Sequence, residues 1–108
     1  MNEAVRLSHT SALILHSVGR AHHYGFDVME VTGLPSGTVY PALRRLERER
    51  LIVSRWEELP ASRQRPARRY YKLTPAGTIA LQQVQRRYPL LRHLPSQQRP
   101  LRRKGAPA

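Results

Sequence analysis

Hydrophobic residues recur at helical spacing near the start of the chain. Residues 8–20 repeat apolar positions three or four apart, which predicts a first helix with Ser8 as its N-cap. A shorter apolar run over residues 25–31 predicts a second helix. Gly33 and Pro35 then favour a break, because glycine accepts a left-handed cap and proline cannot continue a helix.

A third helix is predicted over residues 36–49, with Ser36 as its N-cap. At about 100° per residue, one side carries an apolar stripe that ends on a basic residue. This stripe consists of Val39, Leu43, Leu46 and Arg50. The opposite side is basic or small, and it consists of Gly37, Thr38, Pro41, Arg44, Arg45 and Arg48.

The exposed start of this third helix is unusual because it combines Gly37 with Pro41. The proline ring displaces the carbonyl group one turn earlier, and a glycine at that position tolerates the shift. Two interpretations stay open. Either the pair serves only the chemistry of a helix start, or it lets the backbone come close to another molecule.

The next segments alternate polar and apolar residues and are rich in β-branched and aromatic side chains. Residues 51–57 and 69–74 predict two strands, joined by a proline- and arginine-containing loop over residues 59–67. Thr74 and Pro75 then favour the start of a last helix, which Pro89 interrupts. The predicted fold is mainly α with a small two- or three-stranded β wing, an α+β winged helix-turn-helix.

The charge is distributed unevenly along the 108 residues, which carry a net +12. The seven acids and seven of the arginines lie in the first 58 residues, so this part is neutral. The remaining residues contain twelve basic groups and no acid. Such asymmetry predicts a polyanionic partner, although a solvated basic surface or an arginine-rich genome gives the same composition.

Several classes of protein are disfavoured. Cysteine is absent, which excludes disulfides and thiolate metal sites, and the five histidines lack metal-ligand spacing. No phosphate-binding loop or catalytic pair is recognisable, so neither an enzyme nor a cofactor or metal is expected. No apolar run has the ~20 residues of a membrane span, and a signal peptide is not expected. We expect a cytoplasmic protein without membrane contact.

Three stretches carry a resemblance to the PadR family of bacterial transcriptional regulators. Residues 34–47 read LPSGTVYPALRRLE, residues 51–57 read LIVSRWE, and residues 65–77 read RPARRYYKLTPAG. Residues 24–26 look like a variant of the family's His-Gly-Tyr. The resemblance covers residues 10–85. It implies a winged helix-turn-helix that dimerises through its first and last helices, represses neighbouring genes and often releases DNA on binding small aromatic compounds.

Two departures from the family pattern stand out. Arg50 occupies a position where the family usually has glycine, and a left-handed backbone there costs arginine about 1 kcal/mol. The last helix is also short. We expect a winged-helix DNA-binding domain over residues 1–74, a dimerisation helix over 75–94 and a disordered basic tail over 95–108.

We expect the third helix and the hairpin to bind double-stranded DNA at two places, with arginines on guanine edges and phosphates. The candidate residues are Ser36, Gly37, Thr38, Tyr40, Pro41, Arg44, Arg45, Arg48, Arg63, Arg65, Arg68 and Arg69. Two alternatives stay open: the helix arginines form only a solvated face, or the domain is a protein- or RNA-interaction module.

Three aromatic residues stand on the two predicted strands: Trp56, Tyr70 and Tyr71. Ordinary sheet packing explains most aromatic residues in strands. The alternative is a stacking wall for a small aromatic effector, which the family resemblance implies.

Overall fold

The computed structural model describes residues 7–21 and 23–93, and the predicted tail over 95–108 lies outside them. These residues form four α-helices, a two-stranded antiparallel sheet and a terminal 3-10 turn. In chain order they are α1 (His9–Gly19), α2 (Gly25–Thr32), α3 (Ser36–Arg48), β1 (Ile52–Trp56), β2 (Arg69–Leu73), α4 (Pro75–Arg87) and the 3-10 turn (Pro89–His93). The predicted α+β fold class is confirmed.

Helix α1 forms the centre of the core. Its predicted cap is confirmed, because the Ser8 side-chain oxygen accepts a 3.1 Å hydrogen bond from the backbone N–H of Ser11. Ile14 and Leu15 are completely buried. The helix packs against α2, α3, α4 and β2. Burial of each such aliphatic side chain contributes roughly 1.5–3 kcal/mol to the stability of the fold.

The start of α3 differs from the prediction by one residue. The N-cap is Pro35, whose carbonyl oxygen accepts hydrogen bonds from the N–H groups of Thr38 (2.9 Å) and Val39 (3.0 Å). Pro35 is extended, with φ −76° and ψ 163°, so the helical backbone begins at Ser36. The prediction of Ser36 as N-cap is therefore wrong. Gly33, with φ 76°, adopts the predicted left-handed cap of α2.

The apolar stripe of α3 faces the core, but it ends earlier than predicted. Val39, Leu43 and Leu46 are fully buried. Arg50 does not continue the stripe, because it lies beyond the helix, is exposed and has a φ of 64°. This left-handed backbone is the one that the family's glycine would favour. Pro41 lies inside the helix, which continues to Arg48.

The two strands form a hairpin that we call the wing (residues 52–73). Their register pairs Ile52 with Leu73 and Trp56 with Arg69. Alternate side chains in a strand point to opposite faces, so one face of the sheet packs on the helices. The chain before α2 adds a single bridge at Tyr24, opposite Tyr70. The sheet is therefore two-stranded, with one residue of a third strand.

Helix α4 begins against the backbone that precedes the wing. Thr74 is its predicted N-cap and accepts a 2.9 Å hydrogen bond from the N–H of Gly77. The Thr74 hydroxyl also donates to the Arg50 carbonyl oxygen at 2.7 Å. Leu81 and Val84 are buried, whereas Ile79 is 58% exposed. Within residues 7–21 and 23–93, no helix is long and apolar enough to cross a membrane.

We predict that Gly77→Ala destabilises the fold. A Cβ atom at this position would collide with the Leu51 carbonyl oxygen, so the backbone at the start of α4 must move. Overpacking of this kind lowers the free energy of unfolding by about 1–3 kcal/mol. Urea denaturation measures the change. Gly37→Ala is the matched control, because a Cβ there meets no atom within 4 Å. It is expected to raise stability by about 0.5–1 kcal/mol. Equal effects of both substitutions would contradict the prediction.

Candidate nucleic-acid interface

The surface of α3 that faces away from the core is basic, and its first turn carries only small side chains. Gly37, Pro41, Arg44 and Arg48 are all exposed and follow one another along the outermost line of the helix. Arg45 is exposed beside this line, Thr38 is partly buried, and Ser36 is exposed in the first turn. The 13 residues of α3 span about 20 Å.

Nothing in the described part of the chain requires glycine at position 37. A Cβ added to Gly37 would meet open space, and the φ angle of Gly37 is not positive. Most other residues would stabilise an exposed helical position relative to glycine. Neither side-chain packing nor a positive φ therefore explains the glycine at position 37.

The ring of Tyr40 is fixed by a second glycine. A Cβ atom on Gly25 would collide with the Tyr40 side chain, so the ring rests directly on the start of α2. Tyr40 is 36% exposed and lies on the side of α3 nearest the wing. Gly25 is thus a positioning residue that the site prediction omitted, although residues 24–26 belonged to the family resemblance.

The Glu57 carboxylate, directly after β1, holds the two ends of the wing loop together. Glu57 forms a 3.0 Å ion pair with Arg65, and accepts hydrogen bonds from the Tyr24 hydroxyl at 2.8 Å and the Arg68 N–H at 3.1 Å. The bonds from Arg65 and then Tyr24 lower the pKa of Glu57 from its ordinary 4.5 to about 2. The same hydrogen bond raises the pKa of Tyr24. Arg65 is therefore paired with a carboxylate of the same chain at the surface, whereas Arg63 is exposed.

A second network joins the wing to α3. Arg69 donates from Nε to the Ser54 hydroxyl oxygen at 2.9 Å, and that hydroxyl donates to Glu47 Oε2 at 2.7 Å. The other end of the Arg69 guanidinium lies 3.6 Å from the same carboxylate oxygen. The guanidinium carbon lies 5.4 Å from the centre of the Trp56 ring. Glu47 therefore pairs with the wing.

These groups border an open cleft of about 580 Å³ between α3 and the wing. Its lining combines basic and aromatic side chains with one carboxylate: Tyr40, Arg44, Glu47, Arg48, Trp56, Arg69 and Tyr71. The structure therefore brings together four of the predicted DNA-binding residues, from both predicted contact elements. Arg63 lies on the loop of the wing, and Arg68 lies 5.5 Å from the Tyr24 ring.

The three aromatic residues of the predicted effector wall do not line one cavity. Trp56 and Tyr71 border the cleft beside α3. Tyr70 lies on the opposite face of the sheet, 6.3 Å from the Tyr24 ring, and meets Trp56 only at a shallow depression with Arg55. Tyr71 is buried, and this burial raises its pKa. Sheet packing thus accounts for Tyr71, whereas Trp56 is 60% exposed.

A separate apolar groove of about 500 Å³ lies where α1 meets the end of α4. Its walls are His9, Ala12, Leu13, Arg87, Tyr88, Pro89, Leu90 and Leu91. The His9 and Tyr88 rings are 4.4 Å apart, and Leu90 is 78% exposed. For the described ranges, no group of three potential metal ligands is found.

The sequence predictions missed the acidic partners of the wing. Glu57 and Tyr24 are 33 positions apart, and no periodic pattern connects them. Glu47 lies on α3 but contacts Ser54 and Arg69 of the wing. Glu47 and Glu57 lie in the part of the sequence where acids and arginines are equal in number. Only the three-dimensional contacts show which arginines they pair with.

Comparison with known proteins gives the family. The profile of the PadR-like family of transcriptional regulators matches residues 14–83. The chain belongs to this family. Members of the PadR-like family are transcriptional regulators and not enzymes. A search of curated protein sequences finds no match.

Solved structures of PadR-like proteins are similar to this chain. A PadR-like transcription factor from Bacteroides fragilis is 28% identical with a TM-score of 0.63, covering 77% of this chain and 82% of its own. A PadR-like regulator from Bacillus cereus is 26% identical with a TM-score of 0.56, covering 77% and 84%. A PadR family regulator from Clostridium difficile, 24% identical with a TM-score of 0.65, covers 80% and 93% and supports the fold alone.

We predict that Glu57→Gln removes a pH-dependent part of the stability. The carboxylate has a pKa of about 2 in the fold and 4.5 ordinarily, so between these values the unfolded chain binds more protons. The contribution is complete above 4.5 and is lost as the pH falls towards 2. Thermal unfolding from pH 7 to pH 2 should therefore show a wild-type advantage that shrinks in this window. Glu58→Gln, at the exposed next position, is the control. A constant difference between wild type and Glu57→Gln would refute the assignment.

Proposed function

We propose that the protein binds double-stranded DNA sequence-specifically as a transcriptional repressor, with α3 in the major groove and the wing on phosphates or the minor groove. The observation that carries the proposal is the exposed line of α3, where the bare backbone of Gly37 precedes Arg44 and Arg48. A major groove about 12 Å wide admits an α-helix. Membership of a family of transcriptional regulators supports this use of the surface.

The line on α3 offers the chemistry that reads bases. Arginine can donate two hydrogen bonds to O6 and N7 of guanine, which is the commonest specific contact. Arg44 and Arg48 lie one turn apart on the outermost line and are assigned to base edges. The start of the helix has small or hydroxyl-bearing residues and lets the backbone approach: Ser36, Gly37, Thr38, Tyr40 and Pro41.

The wing supplies attraction that is independent of sequence. Arg63 is exposed on the wing loop. Arg68 is exposed directly before β2, and its guanidinium lies over the Tyr24 ring. Arg65 is tied to Glu57 and contributes less to the DNA contact than the sequence suggested. Each phosphate contact releases counterions, so affinity for any duplex should fall with salt by about 0.9 log units per log unit for each contact.

A competition gel-shift experiment tests the proposed function. A labelled duplex from the promoter region of the protein's own gene is competed with itself and with a random duplex of equal length. Preferential competition by the promoter duplex supports sequence-specific binding. Equal competition, or no shift, contradicts it and favours the alternative of a protein- or RNA-interaction module.

We predict that Arg44→Ala with Arg48→Ala reduces the preference for the promoter duplex by at least ten-fold, because each lost bidentate base contact costs about 1–3 kcal/mol of discrimination. Arg63→Ala is the comparison, since it should weaken both duplexes by the same factor. Gly37→Ala keeps every charge and should weaken DNA binding although it stabilises the fold. Titrations in which the double variant keeps its preference, or Gly37→Ala binds as tightly as wild type, would remove α3 from the interface.

We further propose a homodimer through the first and last helices, as the family resemblance implied. The apolar groove between α1 and the end of α4 lies on these two elements, and its rim residue Leu90 is 78% exposed. An exposed apolar patch of this kind usually marks an interface. A second copy of the chain is the occupant that matches two elements of the same kind.

We predict that Leu90→Glu gives a monomer, because it introduces a charge into an apolar interface at a side chain that contributes little to the folded monomer. Light scattering after size exclusion measures the mass. Ile79→Glu is matched in chemistry, lies on α4 outside the groove and is 58% exposed. It should leave the mass unchanged. A wild-type monomer, or a dimer that survives Leu90→Glu, would contradict this interface.

We also propose that the protein acts in the cytoplasm and that a small aromatic effector releases it from DNA. Trp56 is 60% exposed and is the chain's single tryptophan, so its fluorescence reports on nearby binding. Titration with a panel of flat aromatic compounds should change its emission and weaken the gel shift. Unchanged emission and DNA binding across the panel would leave Trp56 without this role.

A further inference from the structure

We propose that the cleft between α3 and the wing binds one phosphate group of the duplex backbone, with Arg69 as the ligand and Trp56 as the residue that positions it. The inference rests on the proposed function and adds a contact between the helix and the wing loop. It also gives Trp56 a role that neither sheet packing nor an effector wall provides.

The guanidinium of Arg69 is anchored at one end and weakly held at the other. Its Nε donates to Ser54 at 2.9 Å, which fixes the side chain against the sheet. Its terminal nitrogen is 3.6 Å from Glu47, longer than the 2.7–2.9 Å typical of a strong charge-assisted hydrogen bond. The Arg69 side chain is 43% exposed. A phosphate oxygen can therefore take the terminal nitrogen without breaking the anchor.

Trp56 limits where this guanidinium can go. The guanidinium carbon lies over the indole ring, 5.4 Å from the ring centre, which is within the range of a cation–π contact. A cation–π contact does not use the N–H donors, so they remain available to an anion. Because Trp56 and Arg69 are directly paired across the two strands, the wing itself holds the stack in place. The donors are thus presented at the cleft in one orientation.

The surroundings favour an anion that belongs to an extended chain. Arg44 and Arg48 border the same cleft from α3, so three guanidinium groups face the single carboxylate of Glu47. The cleft is open and continues from the exposed line of α3 onto the wing. A sugar-phosphate backbone that passes from the major groove to the wing would cross it. A free aromatic anion shares part of this chemistry and is distinguished by the test.

The test compares two variants that each remove one positive charge from β2, Arg69→Gln and Lys72→Gln. Lys72 is exposed and lies on the opposite face of the sheet from Arg69. Binding of the full chain to a random duplex of about 25 base pairs is measured from low to moderate salt, since a phosphate contact needs no sequence. For Arg69→Gln, the slope of log affinity against log salt should decrease by about 0.9, whereas Lys72→Gln should keep the wild-type slope.

Two further comparisons test the neighbours of Arg69. Trp56→Leu keeps an apolar side chain but loses the stack, and should weaken binding by roughly two- to five-fold. Glu47→Gln removes the competing carboxylate and should strengthen binding by roughly two- to five-fold. Glu49→Gln removes the same charge at the next exposed acidic position of the chain and should strengthen binding less.

The results separate this inference from the function on which it rests. If wild type binds duplex but Arg69→Gln and Lys72→Gln keep identical slopes, the phosphate site is wrong and the proposed function stands. Absence of wild-type binding to any duplex overturns both. If Arg69→Gln does not fold, the Trp56→Leu and Glu47→Gln comparisons decide, and wild-type affinity in both overturns the inference. If Arg69→Gln weakens the binding of a free aromatic carboxylate but leaves duplex affinity and its salt slope unchanged, the cleft binds the free anion and the phosphate site is overturned.

Discussion

The candidate nucleic-acid interface depends on the burial of α1, the helix against which α2, α3, α4 and β2 all pack. Seven of its eleven residues are buried, and the buried Ser17 hydroxyl is satisfied by donating to the Leu13 carbonyl oxygen at 2.9 Å. A small domain buries a modest share of its surface, so one central helix must serve several partners. Because α3 and the wing both rest on α1, their relative position follows from the core. The cleft between them is a consequence of this shared support.

Acidic side chains then decide which arginines serve the fold and which face outwards. Glu57 engages Arg65, and Glu47 partly engages Arg69, so two wing arginines have internal partners. Arg44 and Arg48 are exposed on the outermost line of α3. Net charge alone does not distinguish these groups, because a tied guanidinium and an exposed one count equally. The first 58 residues are neutral overall, but the outer surface of α3 is basic. The reason is that Glu47 of α3 pairs with the wing and not with the arginines of its own helix.

The sequence was sufficient for the elements and insufficient for the contacts between them. Strong periodicity predicted four helices and two strands close to their observed bounds, and Thr74 and Ser8 were recognisable caps. Ser36 was misplaced because a hydroxyl next to a proline looks like a cap, whereas Pro35 already supplies the extended residue. The Glu57 network joins residues far apart in sequence, and Gly25 matters only because the Tyr40 ring rests on it. Such pairings depend on tertiary packing, which local pattern does not encode.

The close contact between Gly77 and the Leu51 carbonyl has a geometric consequence for the operator. This contact between two backbone segments fixes the start of α4 beside the residue that precedes the wing, and the packing of α4 on α1 and β2 then gives the direction in which the helix leaves the winged domain. In the proposed dimer, that direction sets the separation of the two α3 helices. Half-sites on one face of a duplex must lie about 34 Å apart or at a multiple of it. In the proposed dimer, the distance between the two DNA half-sites would thus depend on the contact between Gly77 and the Leu51 carbonyl oxygen, although neither residue touches a base.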